Sequence, residues 1–287
     1  MKKGITVLSL FDGMSCGQIA LKKIGVKVAK YYASELDVHA IKESNANWPN
    51  MIHLGDVTKW KEWDVDWASI DLIMGGSPCQ GFSMAGKQLA FDDPRSALFF
   101  TYMDIVNHCL DFNGNAHFFL ENVVMKQEFL DVINECMGIS PVNINASLIA
   151  PISRNRNYWA TWDFKAPKKI NSCIGDIWSG GVNVTERFNK KVKGTLAYTK
   201  SRSAIRTLEQ KAKCLTTHGQ GISNSGATNI AIGDEVFIPS LIDSCRLHGV
   251  PDDYFKVSSK TQSMRMLGNG WHVDVIVHIF KSFFNKA

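Results

Sequence analysis

Leu72-Ile73-Met74-Gly75-Gly76-Ser77-Pro78-Cys79-Gln80-Gly81-Phe82-Ser83 is the stretch on which the reading of this chain turns. The apolar run Leu72-Ile73-Met74 has the character of a buried strand. Two glycines and a proline then force a tight, exposed turn, with a single cysteine at its tip. Polar and glycine residues continue to Arg95, so Cys79 opens a long loop. A strand that fixes the base, a turn that exposes the sulfur and a loop that can close suit a nucleophile. Taken alone, the same cysteine would read as a packed, half-buried residue.

Working outward toward the N-terminus, Ile5 to Phe11 is a second buried-strand pattern. It runs into Asp12-Gly13-Met14-Ser15-Cys16-Gly17 and then a helical stretch from Gln18 to Ile24. Strand, glycine turn and helix make a nucleotide-type element whose helix N-terminus offers free N–H groups. A plain tight turn would carry the same residues, because the spacing is not Gly-x-Gly-x-x-Gly. The next strand, Lys30 to Ser34, ends at Glu35, 22 residues beyond Gly13, the offset at which an acid bonds ribose hydroxyls. After a helix from Val38 to Asn47, the run Met51 to Leu54 ends at Gly55-Asp56-Val57, which places Asp56 to accept from an adenine amine.

Beyond the cysteine loop, Arg95 to Leu110 reads as a helix with an apolar face of Leu98, Phe99, Tyr102, Ile105, Val106 and Cys109. His117 to Leu120 is a strand ending in Glu121-Asn122-Val123, which sets a carboxylate beside the cysteine loop. Met125 to Met137 reads as a helix. Val142 to Ala150 and Tyr158 to Trp162 read as strands around Arg154 and Arg156, two arginines that an extended chain would point one way, toward a phosphate or a base edge. Helix alternating with strand predicts an α/β fold with a doubly wound, mostly parallel sheet. From Lys165 to Lys213 the periodicity fades into a small insertion. Phe237 to Pro239 returns as a strand, and Ser240–His248, Thr261–Leu267 and His272–Phe284 as helices. The expected organisation is therefore residues 1–164, a small region 165–213, and 214–287 returning to the first part.

Charge divides along the same line. Residues 1–162 carry 14 Lys+Arg against 17 Asp+Glu, and residues 163–287 carry 18 against 10. Residues 165–213 alone hold 12 basic against 3 acidic side chains, an excess that suits a polyanion. The chain of 287 residues is 45% hydrophobic and 21% charged, ordinary for a protein with a real core. No apolar run is long enough to span a bilayer, and no signal peptide is visible, since the first apolar run breaks at Asp12. The expectation is a cytoplasmic protein with no membrane partner. Seven scattered cysteines without a Cys-x-x-Cys pair argue against a disulfide framework and against a zinc site.

These pieces, in this order, resemble the cytosine-5 DNA methyltransferase family over nearly the whole chain apart from 165–211. Pro78-Cys79-Gln80-Gly81-Phe82-Ser83 resembles its nucleophile motif and Glu121-Asn122-Val123 its acid motif; Arg154 and Arg156 match its paired arginines. The resemblance implies a Rossmann-like methyltransferase fold and S-adenosylmethionine as cofactor, held by Phe11, Asp12, Gly13, Met14, Ser15, Cys16, Glu35, Leu36, Asp56, Val57 and Pro78, with Asn269, Gly270 and Trp271 of the closing motif. It implies catalysis by Cys79, Glu121, Arg154 and Arg156 on a cytosine flipped out of double-stranded DNA. DNA contacts would come from Gln80, Ser83 and Lys87 and, in the basic region, from Lys190, Lys191, Lys193, Arg202 and Arg206. No metal is implied. The match is nearest the short-target branch, like the animal de novo enzymes, which pair their catalytic domains, so a homodimer is possible. Ser15-Cys16 replaces the Gly-Gly of many bacterial relatives, Ile152 replaces a usual Gln, and Asn269-Gly270 lacks a usual Ser. A tRNA-directed enzyme and a catalytically silent DNA-binding paralogue are the alternatives. The ending Gly81-Phe82-Ser83 favours DNA, because the tRNA branch typically has Pro-Phe-Thr there.

Overall fold

A computed structural model describes residues 4–78, 97–192, 205–217 and 228–284. Cys79, Gln80, Ser83, Lys87, Lys193 and Arg202 lie outside the described residues, as do the side chains of Lys190 and Lys191. The described chain falls into two compact units. One comprises Met1–Ile144, Asn155–Ala166 and Ile276–Ala287; the other comprises Asn145–Arg154 and Pro167–Val275.

The first unit is built on a seven-stranded sheet. Its strands are β1 (Ile5–Leu10), β2 (Val28–Ser34), β3 (Ile52–His53), β4 (Leu72–Gly75), β5 (His117–Val123), β6 (Val142–Asn145) and β7 (Asn155–Ala160), in the order β3-β2-β1-β4-β5-β7-β6. The pairs among β3, β2, β1, β4 and β5 are parallel, and β7 runs antiparallel to β5. This is the expected mostly parallel α/β sheet. The strand order reverses beside β1, the place where such sheets bind ligands. The central strands are buried throughout, as strands covered on both faces must be.

Helices α1 (Cys16–Lys23), α2 (Val38–Asn47), α3 (Ala97–Phe112) and α4 (Gln127–Met137) connect the strands. α3 buries Phe99, Tyr102, Ile105, Val106 and Cys109, all on the face its sequence predicts, against Leu10, Ile73 and Leu120 of the sheet. Tyr102 reaches across to donate to the Phe119 carbonyl at 3.0 Å. Gly75, at the end of β4, is tightly enclosed: an added Cβ would lie 3.0 Å from the Tyr102 ring and 3.1 Å from the Leu10 oxygen, so its neighbours would have to give way.

The second unit is larger than the fading periodicity of 165–213 suggests. Residues 167–275 pack together with the segment 145–154, so most of 214–287 belongs with the basic region and only Ile276 onward with the sheet. Strands β8 (Val182–Asn183), β9 (Ile230–Ile232) and β10 (Glu235–Ile238) form an antiparallel sheet in the order β8-β10-β9. Helix α5 (Thr185–Val192) closes a small core of Val184, Phe188, Val236 and Ile238. α6 (Leu241–Leu247) and α7 (Lys260–Asn269) follow, and α8 (Val273–Phe284) spans the boundary between the units. The strand expected over Val142–Ala150 stops at Asn145. There the Asn145 side chain accepts from the Ser147 N–H at 3.0 Å and caps a 3-10 turn, Ala146–Leu148.

Candidate functional site

In the first unit the carboxyl end of β1 leads into a turn of unusual backbone. Phe11, Gly13 and Ser15 all have positive φ, at 57°, 57° and 59°. Only glycine adopts that region without cost, so Phe11 and Ser15 store strain at the start of α1, a common feature of ligand-binding turns. The neighbouring strand holds the turn. Glu35 Oε2 accepts from the Gly13 N–H at 2.7 Å, while Oε1 accepts from the N–H groups of Leu36 and Asp37, each at 2.8 Å. Asp37 in turn caps α2 by accepting from the His39 N–H at 2.9 Å.

Asp12 is the electrostatic centre of this turn. Its carboxylate accepts from the Tyr31 hydroxyl at 2.7 Å and from the Ser15 hydroxyl. Burial pushes its pKa up to about 6; the hydrogen bonds from Ser15, Ser9 and Tyr31 oppose that rise and Glu35 adds to it. Sequence reasoning missed Tyr31, which carries no local signal, because its partner is brought to it only by the pairing of β1 with β2. Met14, Ser15 and Cys16 are buried, at 1%, 0% and 3% exposure, so a ligand in the turn would meet their backbone rather than their side chains.

Asp56 follows β3 and is partly exposed. Its carboxylate accepts from the Thr58 N–H at 2.9 Å and hydroxyl at 2.8 Å, and the first of these bonds leads in holding its pKa below the usual carboxylate range. Val57 is buried beneath it. Leu36 is 65% exposed, an apolar surface left uncovered directly after Glu35.

β4 and β5 pair in parallel, which brings their carboxyl ends together. The expected Glu121-Asn122-Val123 lies inside β5 rather than after it, because β7 pairs with β5 as far as Val123. Asn122 Nδ2 donates to Ser77 Oγ at 3.2 Å, and both residues are buried. That bond pins the chain two residues before Cys79 to the residue after Glu121. Pro78 is the last described residue of this segment. Glu121 is 8% exposed, and Arg156 on β7 places its Nε 3.1 Å from Glu121 Oε1. The pair is strand-borne on both sides, through the register Glu121 to Tyr158 and Val123 to Arg156.

Arg154, the other arginine of the expected pair, has different surroundings. It precedes β7, it is 3% exposed, and it belongs to the second unit. There its guanidinium donates to the Gly270 carbonyl at 2.7 Å, the Gly268 carbonyl at 3.3 Å and Cys214 Sγ at 3.6 Å. The two arginines thus serve different partners. Asn269 ends α7 and Gly270 caps it in extended conformation, with Trp271 following. Gly268 is required by close approach, since an added Cβ would lie 2.6 Å from the Thr216 carbonyl carbon.

Arg206 lines an open groove of about 880 Å³ in the second unit, together with Lys169, Lys211, Lys213, Asp176 and Glu209. Lys211 is committed within it, donating to the Ser147 carbonyl at 2.7 Å, Ser172 Oγ at 2.9 Å and the Ala150 carbonyl at 3.0 Å. Burial, then repulsion from Lys169, lowers the Lys211 pKa; burial, then repulsion from Arg206, lowers that of Lys213. Among the described residues no group of three or more His, Cys, Asp and Glu could hold a metal ion, and no helix is long and apolar enough to cross a membrane.

Comparison with known proteins matches residues 5–131 to the family model described as C-5 cytosine-specific DNA methylase. The orphan methyltransferase M.Rho11sI of Bacillus phage rho11s is 38% identical over 121 residues, which are 42% of this chain and 23% of that protein. The chain therefore spans about a quarter of that relative's length. The type II methyltransferase M.DsaV of Dactylococcopsis salina is 25% identical over 311 residues, 96% of this chain and 84% of that one. Among solved structures, the Entamoeba histolytica methyltransferase EhMeth superposes with a TM-score of 0.77 at 14% identity, covering 99% of both chains. The S. pombe Dnmt2 methyltransferase superposes with 0.72 at 17% identity, again over 99% of both chains, a likeness of fold.

Proposed function

We propose that this chain, which belongs through residues 5–131 to the C-5 cytosine-specific DNA methylase family, methylates carbon 5 of cytosine in double-stranded DNA. The observation that carries the reading is the bond from Asn122 to Ser77. It ties Ser77, two residues before the proposed nucleophile in sequence, to Asn122, the residue after the proposed acid Glu121.

S-adenosylmethionine suits the turn after β1. Glu35 stands at a strand end, Asp56 keeps a partly exposed carboxylate, and Leu36 offers an uncovered apolar surface for an adenine ring. When bound, that cofactor supplies an electrophilic methyl group on a sulfonium centre. Carbon 5 of cytosine is a poor nucleophile until carbon 6 is attacked. The Cys79 thiolate adds at carbon 6, and the electron pair of the 5,6 double bond becomes available at carbon 5. Glu121 holds ring nitrogen 3 and the exocyclic amine while charge shifts onto the ring, and Arg156 orients Glu121. With the cofactor bound, its S–CH3 bond would break as carbon 5 is methylated, leaving a neutral thioether; carbon 5 would then lose its proton to water as the Cys79 thiolate leaves carbon 6, restoring the 5,6 double bond. The base must first leave the duplex, at a cost of roughly a few kcal/mol. Arg154 acts as a positioning residue for the turn after α7 rather than as a grip on the base. The groove of Lys169, Arg206 and Lys213 supplies phosphate contacts.

The test is incubation with unmethylated DNA and labelled S-adenosylmethionine, with the Cys79→Ser protein and tRNA run beside it. Label on DNA cytosine in a fixed short context, lost on Cys79→Ser while cofactor still binds, is the expected result. Activity retained by Cys79→Ser sinks the mechanism, label on tRNA moves the substrate to RNA, and no label with cofactor bound leaves a silent paralogue.

A further inference from the structure

Two tryptophans on the connection that leads away from Asp56 face one stripe of α3. Trp60 lies in a 3-10 turn, Val57–Glu62, and Trp67 in another, Trp67–Ser69, both on the connection from β3 to β4. Their rings stand at 85° with centroids 6.1 Å apart. His108 sits 4.9 Å from each ring, and Phe112 sits 5.0 Å from His108. Asp104, Asn107, His108 and Asp111 recur at helical spacing and, with the tryptophans and Lys61, line a pocket of about 540 Å³. The pocket lies at the amino ends of the strands. Asn113, just past α3, donates to the Ile70 carbonyl at 2.8 Å, ahead of β4. Glu35, Ser77 and Glu121 all lie toward the opposite, carboxyl ends.

The chemistry of this pocket is that of a cation receptor. Indole faces carry negative potential, and two carboxylates stand beside them. Lys61 already places its ammonium 5.5 Å from the Trp60 ring centroid. The surface also continues past the pocket, where Phe112 is 58% exposed, which favours a macromolecular partner over a small amine. Asp104 and Asp111 are seven residues apart on one helix, about 10.5 Å along its axis. That separation exceeds the reach of one cation and is close to the span of three residues of a polyproline II peptide, about 9 Å, whose three residues per turn put both side chains on one face. Arginine fits better than lysine, because its planar guanidinium both stacks on an indole and forks to a carboxylate.

We propose that this pocket docks a basic peptide segment of a partner protein, with one arginine stacked at Trp60 and Trp67 and a second cation three residues along, each paired with one of the carboxylates Asp104 and Asp111. The probe is a fluorescent peptide, Gly-Arg-Gly-Gly-Arg-Gly, titrated by anisotropy against the full chain, beside a counterpart with neutral citrulline in place of arginine. The Asp104→Asn/Asp111→Asn protein changes only exposed side chains, and its melting temperature checks that it folds. Saturable binding of the arginine peptide, weakened at least tenfold by citrulline and at least tenfold in the double variant, is the expected result. Binding of both peptides alike, binding that ignores the double variant, or no saturation at millimolar peptide overturns the proposal. So does a single-stranded oligonucleotide that binds more tightly once the carboxylates are removed.

Discussion

Glu35→Gln separates the tethering of the β1 turn from ligand binding. Glu35 accepts three backbone N–H groups, one through Oε2 and two through Oε1. Glutamine keeps one oxygen. The least costly orientation leaves it on Leu36 and Asp37 and turns the amide NH2 toward the Gly13 N–H, donor against donor. One charge-assisted bond is then lost, worth about 1.5–3 kcal/mol, and the other two become ordinary neutral bonds. The bonds of Tyr31 and Ser15 to Asp12 hold the rest of the turn, so the loss falls on the Gly13 N–H itself. The expected loss is about 2–4 kcal/mol in ligand-free protein, read from the urea midpoint at unchanged m-value. If Glu35 also receives the cofactor ribose, S-adenosylmethionine affinity measured by calorimetry falls at least tenfold. A stability change under about 0.5 kcal/mol refutes the tether. Stability lost with affinity held within twofold refutes the cofactor site while sparing the tether.

Two further outcomes follow from the same geometry. Arg154→Lys keeps the charge but cannot serve both the Gly268 and Gly270 carbonyls, so it costs about 2 kcal/mol in urea denaturation; an unchanged midpoint with impaired methyl transfer would instead restore Arg154 to the substrate. Asp12 has a folded-state pKa of about 6 against an ordinary value of 3.8, so its stabilising contribution is complete below about pH 4 and is lost as pH rises through 6. The stability of the wild type relative to Asp12→Asn should therefore grow by about 2.4 kcal/mol between pH 7 and pH 4, and a flat difference across that range would refute the burial of this carboxyl.

The sheet was legible in the sequence because its signals are local. Each of β1, β4 and β5 is a short apolar run closed by a glycine or an acid, and the buried face of α3 recurs at helical spacing whatever packs against it. Glu35 could be named for the same reason, since the distance from Gly13 to the end of β2 is a matter of counting residues. In the second unit the helices at Ser240–His248 and Thr261–Leu267 were legible too, but the small sheet with α5 was not. Its strands are two to four residues long, and α5 is a single polar helix with one buried aromatic, so period and composition say little about them.

What the tertiary structure alone decided is which side chains spend their charge inside the fold. Nothing local distinguishes Arg154 from Arg156: they stand two residues apart in one polar stretch. Their fates part because Arg156 enters β7 opposite Val123 and reaches Glu121 diagonally, while Arg154 turns onto carbonyl groups more than a hundred residues further along the chain. Asp12 gains its proton affinity from burial between strands, against the hydrogen bonds that Ser15 and Tyr31 donate to it. Charge and spacing along a chain nominate residues for a site. Desolvation and long-range hydrogen bonding, which exist only after packing, determine which of them remain available to a ligand.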